Sequence, residues 1–452
     1  MAALQSRMTT ALASRSSRQM LRSLEPIPSS ASLVDFSSND YLSFSRSPSL
    51  RSKLLSALSS SPSAPPSPYG PPSSRLLDGN SSHHLSLEAH LSAFFRAEAG
   101  LLFNSGFDAN AGLWACLPGP DDWILFDQLV HASIHDGMRA SRVAKDRRRA
   151  FKHNKLEDLE RTLAEIVQSD GGVRKGEKSV WVGIESLYSM DGDLAPLKEV
   201  VELVERLLPL GNGHLVVDEA HSTGLYGPQG RGLVCALGLA NRVTARVHTF
   251  GKAMACSGGH IPRYAPADAL DEPAVVLSSP LIRSYLINYA RPLIYSTVMP
   301  YMNVLAIEKS LETLEDGEGD PAAAHVHHLA STLISRLSSF LTPSSSVSLP
   351  AHLLPPLYPS FSLSQVHPST SPIIPLLTPF PRPLSAFLRE KGFLVRPITY
   401  PTVPVGEERV RVCLHAGNTV EEVEALAEGI RTWVQRDERE RMEEAARTRA
   451  KL

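Results

Sequence analysis

Two charged residues that follow apolar runs are of types that could act together in catalysis. Asp218 ends the run HLVVD, and Lys252 lies 34 residues later in the small-residue turn TFGKA. A lysine amine holds an aldehyde as a Schiff base, and a carboxylate keeps a pyridine nitrogen protonated. Pyridoxal 5'-phosphate (PLP) chemistry needs both groups. The pair therefore predicts a PLP enzyme in which Lys252 and Asp218 are catalytic residues.

Two other interpretations of the segment HLVVDEAH stay open at this point. An acid after an apolar run is common where a parallel strand ends at the solvent. Asp-Glu-Ala-His after a buried strand also holds magnesium in nucleotide-hydrolysing helicases, which need a phosphate loop as well. The sequence contains no Gly-x-x-x-x-Gly-Lys-Ser/Thr loop, so the helicase is a minor alternative.

The composition is that of a globular protein with a large core and small-molecule chemistry. The chain has 452 residues, of which 42% are hydrophobic and 20% are charged, and its net charge is −2. Such a balanced charge creates no field that attracts nucleic acid or anionic lipid, and no apolar run is long enough for a membrane anchor. The four cysteines form no C-x-x-C pair. They indicate reduced thiols and neither a metal site nor a catalytic thiol.

Short apolar runs alternate with amphipathic stretches, which predicts a doubly wound, mostly parallel α/β domain. The predicted strands are GLLFNSG (100–106), WILFD (123–127), VWVGIES (180–186), HLVVDEA (214–220) and VHTFG (247–251). Helices are predicted near residues 90, 160 and 200, where apolar residues recur at intervals of three to four. Elements such as SPIIPLL, SAFLREKGF and RVRVCLH predict a small C-terminal α/β domain.

These elements divide the chain into an N-terminal helix and arm (1–45), a large PLP-binding domain (46–300) and a small C-terminal domain with an exposed tail (301–452). Two segments rich in serine and proline, 58–74 and 341–383, are expected to form surface loops because proline removes backbone donors.

The two ends of the chain predict different cellular addresses. Residues 1–24 contain four arginines and no acid, which is typical of a mitochondrial transit peptide and also of a basic amphipathic helix. The chain ends in Ala-Lys-Leu, a variant of the Ser-Lys-Leu peroxisomal signal, after a charged tail. We expect a peroxisomal protein that binds the import receptor, with the mitochondrion and the cytoplasm as alternatives.

Three further segments fit a PLP site. In NSGFDANAG, a strand ends near Asn104 and a helix starts near Phe107, so unpaired N–H groups would face the cofactor phosphate. His131 could stack on the pyridine ring, although a histidine that opens a helix is more often a cap. His221 could reach the phenolic oxygen of the ring or support Asp218.

The chain also resembles the α-oxoamine synthases, which are fold-type I PLP enzymes. The resemblance extends in order from about residue 10 to residue 435. The segments that carry it are FSSNDYL, SSRLLDGNSSHH, LLFNSGFDAN, HASIHDG, ESLYSMDGDLAPL, VVDEAHSTGLYGPQGRG, TFGKA, ARPLIYST and YPTVPVGEERVRV. It implies a homodimer that condenses an acyl-CoA with an amino acid and releases CoA and carbon dioxide. The biotin-pathway members, which use pimeloyl-CoA and alanine, are the most similar. Members of the 5-aminolevulinate synthase and glycine C-acetyltransferase types, and a non-catalytic regulatory subunit, are the alternatives.

The resemblance also implies a role for individual residues. Lys252 would hold the cofactor aldehyde, Asp218 would bond the pyridinium nitrogen, and His131 would stack on the ring. His221 and Ser189 would lie near the phenolic oxygen. The phosphate contacts would come from Gly106, Phe107, Thr249 and, in the neighbouring subunit's site, Thr297. The substrate contacts would come from Asn39, Arg22 and Arg411, with Arg411 holding the amino-acid carboxylate.

Overall fold

The structure is a computed structural model. It describes residues 2–18, 21, 33–60, 70, 72–256, 272–342, 345–354 and 370–449. Two predictions fall on residues outside these ranges, namely the substrate contact of Arg22 and the C-terminal tripeptide 450–452.

Strands lie in two regions of the chain, one between residues 99 and 278 and one in the C-terminal part. Their bounds are β1 Val34–Asp35, β2 Ala99–Phe103, β3 Trp123–Asp127, β4 Arg148–Phe151, β5 Val180–Glu185, β6 Gly213–Asp218, β7 Ala245–Thr249, β8 Ala274–Ser278, β9 Ile373–Leu377, β10 Phe393–Leu394, β11 Arg396–Ile398 and β12 Arg409–Cys413.

Helices connect most of these strands. Their bounds are α1 Ala2–Ser17, α2 Pro48–Ser60, α3 Ser82–Phe94, α4 Gly106–Cys116, α5 Ala132–Ala140, α6 Leu156–Ser169, α7 Gly171–Arg174, α8 Leu197–Leu207, α9 Leu233–Ala236, α10 Pro280–Tyr289, α11 Arg291–Tyr295, α12 Tyr301–Glu315, α13 Gly319–Ser338, α14 Pro381–Glu390 and α15 Val420–Arg449. None of the described helices combines the length and the apolar character that crossing a membrane requires.

The large sheet has seven strands in the order β2-β8-β7-β6-β5-β3-β4. The pairs from β7 to β4 are all parallel, and β8 runs antiparallel to both of its neighbours, β2 and β7. The C-terminal ends of β2, β3, β5, β6 and β7 therefore meet at one edge of the sheet, together with the N-terminal end of β8. The predicted α/β class with a mostly parallel sheet is confirmed.

The five predicted strands and three predicted helices are present, with ends that differ by a few residues. In α8, for example, the buried residues Leu197, Val200, Val201 and Val204 follow the helical spacing that predicted it. Of the large sheet, the prediction lacked β4 and β8. Strand β4, RRAF, begins with two arginines and has no apolar run, and a short apolar run such as AVVLS in β8 is not distinguished from a buried helix segment by periodicity.

The expectation of a surface loop over residues 341–383 is wrong for its last part. Strand β9 lies in this segment, pairs with β12 and buries Ile373, Ile374 and Leu376. Pro375 is tolerated because β9 is at the edge of the three-stranded sheet β11-β12-β9. In the other Ser/Pro-rich segment, residues 61–69 and 71 lie outside the described residues, and 58–60 belong to α2.

Two short strands tie the N-terminal arm to the C-terminal part. In β1, Val34 and Asp35 pair in parallel with Phe393 and Leu394 of β10. The Phe36 carbonyl also accepts a hydrogen bond from the Cys413 N–H at 2.8 Å. These bonds bring the segment that contains Asn39 next to β12, which contains Arg411.

Candidate active site

A cavity lies where the strand ends meet, and most of the predicted cofactor residues line it. The predicted residues in its wall are Gly106, Phe107, His131, Ser189, Asp218, His221, Thr249 and Lys252. These residues end or follow five strands, β2, β3, β5, β6 and β7. Open α/β sheets bind ligands at such an edge. The structure thus brings Asp218 and Lys252 to one cavity.

Asp218 is buried at the end of β6, and two donors hold its carboxylate. Its Oδ2 accepts a hydrogen bond from Asn110 Nδ2 at 2.7 Å, and its Oδ1 accepts one from the Ala220 N–H at 2.9 Å. Asn110 Nδ2 also donates to Ser133 Oγ at 3.1 Å. Because both carboxylate oxygens accept bonds, the side chain is fixed at the cavity wall.

Glu185 lies beside Asp218 on the adjacent strand, since the two residues are register partners in the β5–β6 pair. Burial raises the pKa of the Glu185 carboxyl well above its ordinary value, and the negative charge of Asp218 raises it further. Burial therefore favours the neutral form of Glu185, the neighbour of Asp218 in the cavity wall.

His131 both caps a helix and lines the cavity. It caps α5, because its Nδ1 accepts a hydrogen bond from the Ser133 N–H at 3.2 Å. The residue also lines the cavity. The cap fixes the imidazole at the end of β3, where it is in position to cover a flat ring.

Lys252 follows β7 in a tight turn and is mostly buried. Its Nζ lies 2.8 Å from Glu272 Oε2 and donates to Thr249 Oγ1 at 3.3 Å. The ion pair with Glu272 was not predicted. Glu272 precedes β8, whose antiparallel direction places the residues before it at the cavity edge.

The start of α4 is suited to bind an anion. Ser105 caps the helix by accepting a hydrogen bond from the Asp108 N–H at 2.9 Å. The Phe107 N–H lies in the first turn, where a helix supplies no acceptor of its own. The Gly106 N–H, which was predicted to bind the phosphate, donates to the Glu272 carbonyl at 2.7 Å.

Gly106 also sets the shape of this part of the cavity. A Cβ at this position would lie 2.6 Å from Thr249 Cγ2, so only glycine lets the helix start approach β7 so closely.

Hydrogen bonds connect the cofactor cavity with the predicted substrate residues. Tyr41 Oη and His221 Nδ1 share a bond of 2.7 Å, and Tyr41 Oη also contacts Asn39 Oδ1 at 3.3 Å. Arg411 donates from Nη2 to Asn39 Oδ1 at 3.1 Å and from Nε to the Ser189 carbonyl at 2.6 Å. The residues predicted for substrate and for cofactor therefore belong to one network.

Thr297 lies outside this cavity in the single chain. It forms a backbone bridge with Ser74, and its carbonyl accepts a hydrogen bond from Asn104 Nδ2 at 2.7 Å. Its predicted contact with the phosphate of a neighbouring subunit stays a prediction.

Sequence reasoning did not identify Asn110, Ser133, Glu185, Ala220 and Glu272, which also line the cavity. Asn110 follows Gly106 by one helical turn, and Glu185 ends a buried strand as Asp218 does, so both carried a signal in the sequence. Glu272 carried none, because β8 was not predicted.

Comparison with known proteins agrees with this fold. The pattern of the aminotransferase class I and II family matches residues 31–430, and the chain belongs to this family. PLP is its cofactor. Within the family it is an α-oxoamine synthase, as the sequence motifs predicted.

The chain is 43% identical to the 8-amino-7-oxononanoate synthase of Emericella nidulans, over 95% of this chain and 96% of that protein. It is 35% identical to the aminoacyl transferase sphA of Aspergillus fumigatus, over 87% and 79% of the two chains.

Solved structures show the same fold. The Sphingomonas wittichii serine palmitoyltransferase has a TM-score of 0.73 at 23% identity, covering 95% of this chain and 98% of that one. The 8-amino-7-oxononanoate synthase of Francisella tularensis has a TM-score of 0.64 at 24% identity, covering 90% and 98%.

The described residues fit PLP. The cavity contains a fixed carboxylate, a lysine amine, an imidazole and the start of α4, which Gly106 allows to pack closely against Thr249. Asp218 would hold the pyridinium nitrogen, Lys252 the aldehyde and the start of α4 the phosphate.

Proposed function

We propose that the protein condenses pimeloyl-CoA with L-alanine, releasing CoA and carbon dioxide and giving 8-amino-7-oxononanoate for biotin biosynthesis. The observation that carries this proposal is the cavity that Lys252, Asp218 and His221 share, together with the hydrogen bonds that link His221 to Arg411 through Tyr41 and Asn39. The choice of substrates is supported by the likeness to the Emericella nidulans enzyme along nearly the whole chain.

The chain's own residues supply charge placement and proton transfer. When bound, PLP supplies an aromatic cation that takes up the negative charge formed at the substrate α-carbon. Asp218 maintains that cation, because a buried carboxylate stabilises a nearby positive charge more strongly than water does. The Lys252 amine removes the α-proton and returns one after carbon dioxide has left. His131 covers the cavity wall where a ring would stack.

Arg411 is suited to hold the carboxylate of the amino acid. It is 1% exposed, and its bonds to Ser189 and Asn39 orient the guanidinium before any substrate arrives. An oriented guanidinium binds a carboxylate through charge-assisted hydrogen bonds. Arg411 therefore selects a free α-amino acid as one substrate.

The working protein is a homodimer in this proposal. Large apolar side chains are exposed on α10 and α11, with Leu281 79%, Tyr289 57% and Tyr295 71% exposed. A second copy would cover them and place Thr297, just after α11, at the partner's site. Sedimentation should give the mass of a dimer, and Tyr295→Asp should shift it toward the monomer.

The proposal places the enzyme in the peroxisome. Residues 450–452 follow a charged helix, and a terminal tripeptide of this type is bound by the import receptor. Deleting these three residues should leave activity intact and move the tagged protein to the cytosol. An unchanged location would contradict this address and favour the mitochondrion or the cytoplasm.

One assay tests the substrates. CoA release is measured for a panel of acyl-CoAs, each combined with alanine, glycine or serine, with Lys252→Ala as the inactive control. We expect the highest kcat/KM for pimeloyl-CoA with alanine. A preference for serine and a long acyl chain would instead favour a serine palmitoyltransferase type of reaction. The likeness to that fold makes this the second candidate.

A further inference from the structure

Glu272 places a buried carboxylate directly against the amine on which the proposed chemistry depends. Its Oε2 lies 2.8 Å from Lys252 Nζ, and its side chain is 3% exposed. An ion pair with so little exposure is weakly screened by solvent. The Glu272 carboxylate therefore holds the Lys252 side chain in the cofactor-free protein.

The backbone of the same residue engages a second group that the cofactor needs. The Glu272 carbonyl accepts a hydrogen bond from the Gly106 N–H at 2.7 Å. Gly106 opens α4, whose start is the predicted phosphate site. One residue thus engages the predicted aldehyde partner and one of the predicted phosphate donors.

Close packing against Gly251 brings this carboxylate to the amine. A Cβ at Gly251 would lie 2.3 Å from Glu272 Cγ, so the glutamate side chain lies directly against the backbone next to Lys252. Glu272 also lines the cavity in which the cofactor would bind.

We propose that Glu272 is a displaceable internal ligand, which occupies Lys252 and Gly106 in the cofactor-free protein and releases both when PLP binds. The proposal rests on PLP being the cofactor of the proposed function. In Schiff-base formation, Lys252 Nζ bonds to the aldehyde carbon. Two hydrogens of the ammonium leave with the aldehyde oxygen as water, and the nitrogen keeps its positive charge. Glu272 opposes this step because the nitrogen must give up its bond to the Glu272 carboxylate before it reaches the aldehyde carbon, and because the negative charge of Glu272 repels the incoming phosphate.

The variant Glu272→Gln tests this competition, since it keeps the size of the side chain and removes its charge. Cofactor-free full-length protein is titrated with PLP, and binding is followed by visible absorbance and by borohydride-stable incorporation. Loss of one charge-assisted hydrogen bond to Lys252 predicts PLP binding that is about tenfold to hundredfold tighter. The control Glu315→Gln changes the net charge equally at a half-buried residue that pairs with His90 and does not line the cavity, and it should leave PLP binding unchanged.

A second ligand shows whether Glu272 competes with the cofactor for Lys252 or only repels anions in general. 4'-Deoxypyridoxine phosphate has the phosphate but no aldehyde, so it forms no bond with Lys252. Glu272→Gln should improve its binding less than it improves the binding of PLP. Equal gains for both ligands would overturn the proposed competition for Lys252.

PLP affinity equal to or below that of the wild type, in a variant whose circular dichroism shows a folded protein, would also overturn the inference.

If Glu272→Gln does not fold, Glu272→Asp serves instead, because its shorter side chain keeps the charge and does not reach Nζ. Tighter PLP binding by Glu272→Asp supports the inference, and unchanged or weaker binding overturns it. A protein that takes up no PLP in any form would contradict the proposed function itself, and the inference would fall with it.

Discussion

Tyr41 Oη and His221 Nδ1 lie 2.7 Å apart, although 180 residues separate them in the chain. Burial raises the pKa of the Tyr41 hydroxyl and lowers that of His221 well below its ordinary value, so both are neutral near pH 7. Lys252 and Arg411 lower the pKa of His221 further. The bond links the N-terminal segment that contains Asn39 to the loop after β6.

Tyr41→Phe should lower kcat/KM by about tenfold to hundredfold while PLP content stays unchanged. The lost hydroxyl removes the bond that buried His221 Nδ1 shares with Tyr41, which costs about 1 to 3 kcal/mol. Steady-state kinetics and the PLP absorbance of the purified variant are the measurements.

The matched control for Tyr41 is Tyr226→Phe. Tyr226 is also fully buried, and its hydroxyl donates to the Thr370 carbonyl at 2.8 Å, away from the residues that line the cavity. This variant should lose stability and keep its kcat/KM. Equal kinetic losses in the two variants would show that the Tyr41 effect is a general packing effect.

The Asp218→Asn variant should fold. It should exchange the α-proton of alanine at least about a hundredfold more slowly than the wild type, because a neutral amide does not maintain a pyridinium charge. The neighbouring change Glu185→Gln should slow exchange by less than about tenfold, since burial raises the pKa of the Glu185 carboxyl and so favours a neutral group that an amide resembles. Exchange is measured by NMR in heavy water. An Asp218→Asn variant that exchanges at the wild-type rate would refute its role.

Lys252→Ala should lose the borohydride-reducible chromophore and all turnover. Only the Lys252 amine, in the wall of the cavity, is in position to form the Schiff base with a cofactor bound there. Mass spectrometry of the reduced protein locates the adduct, with Lys309→Ala as a control that retains it. An unaltered chromophore would place the cofactor elsewhere, and a wild-type protein without any chromophore would favour the non-catalytic regulatory subunit.

The residues that sequence analysis identified share one property, which is a position just after a recognisable strand. Asp218 and Lys252 follow β6 and β7, and the parallel direction of those strands brings them to the same edge. Glu272 was missed because its place depends on β8, a five-residue strand that runs the opposite way. The bond between Arg411 and Asn39 could not be predicted from the sequence either, since it depends on the pairing of β1 with β10.

A second charged cluster positions the loops on either side of the site. His153 donates from Nδ1 to Asp127 Oδ1 at 2.9 Å and from Nε2 to Asp193 Oδ2 at 2.8 Å. Asp127 ends β3, before the loop to His131, and Asp193 follows the turn that contains Ser189. Burial alone would lower the pKa of His153, but its hydrogen bonds with both carboxylates raise it to about 10. The imidazolium therefore joins the two loops at neutral pH.

This cluster predicts that stability falls with alkaline pH. The folded-state pKa of His153 lies above its unfolded value of 6.5, so the folded protein binds the extra proton more tightly. The stabilisation is complete below about pH 6.5 and is lost as pH rises toward about 10. His153→Gln leaves Asp127 and Asp193 without the cation between them, which should cost about 3 to 5 kcal/mol of unfolding free energy near neutral pH. Urea unfolding of both proteins at several pH values measures the difference, which should shrink as the solution becomes alkaline. A difference that is constant with pH would show that His153 acts through packing and not through its charge.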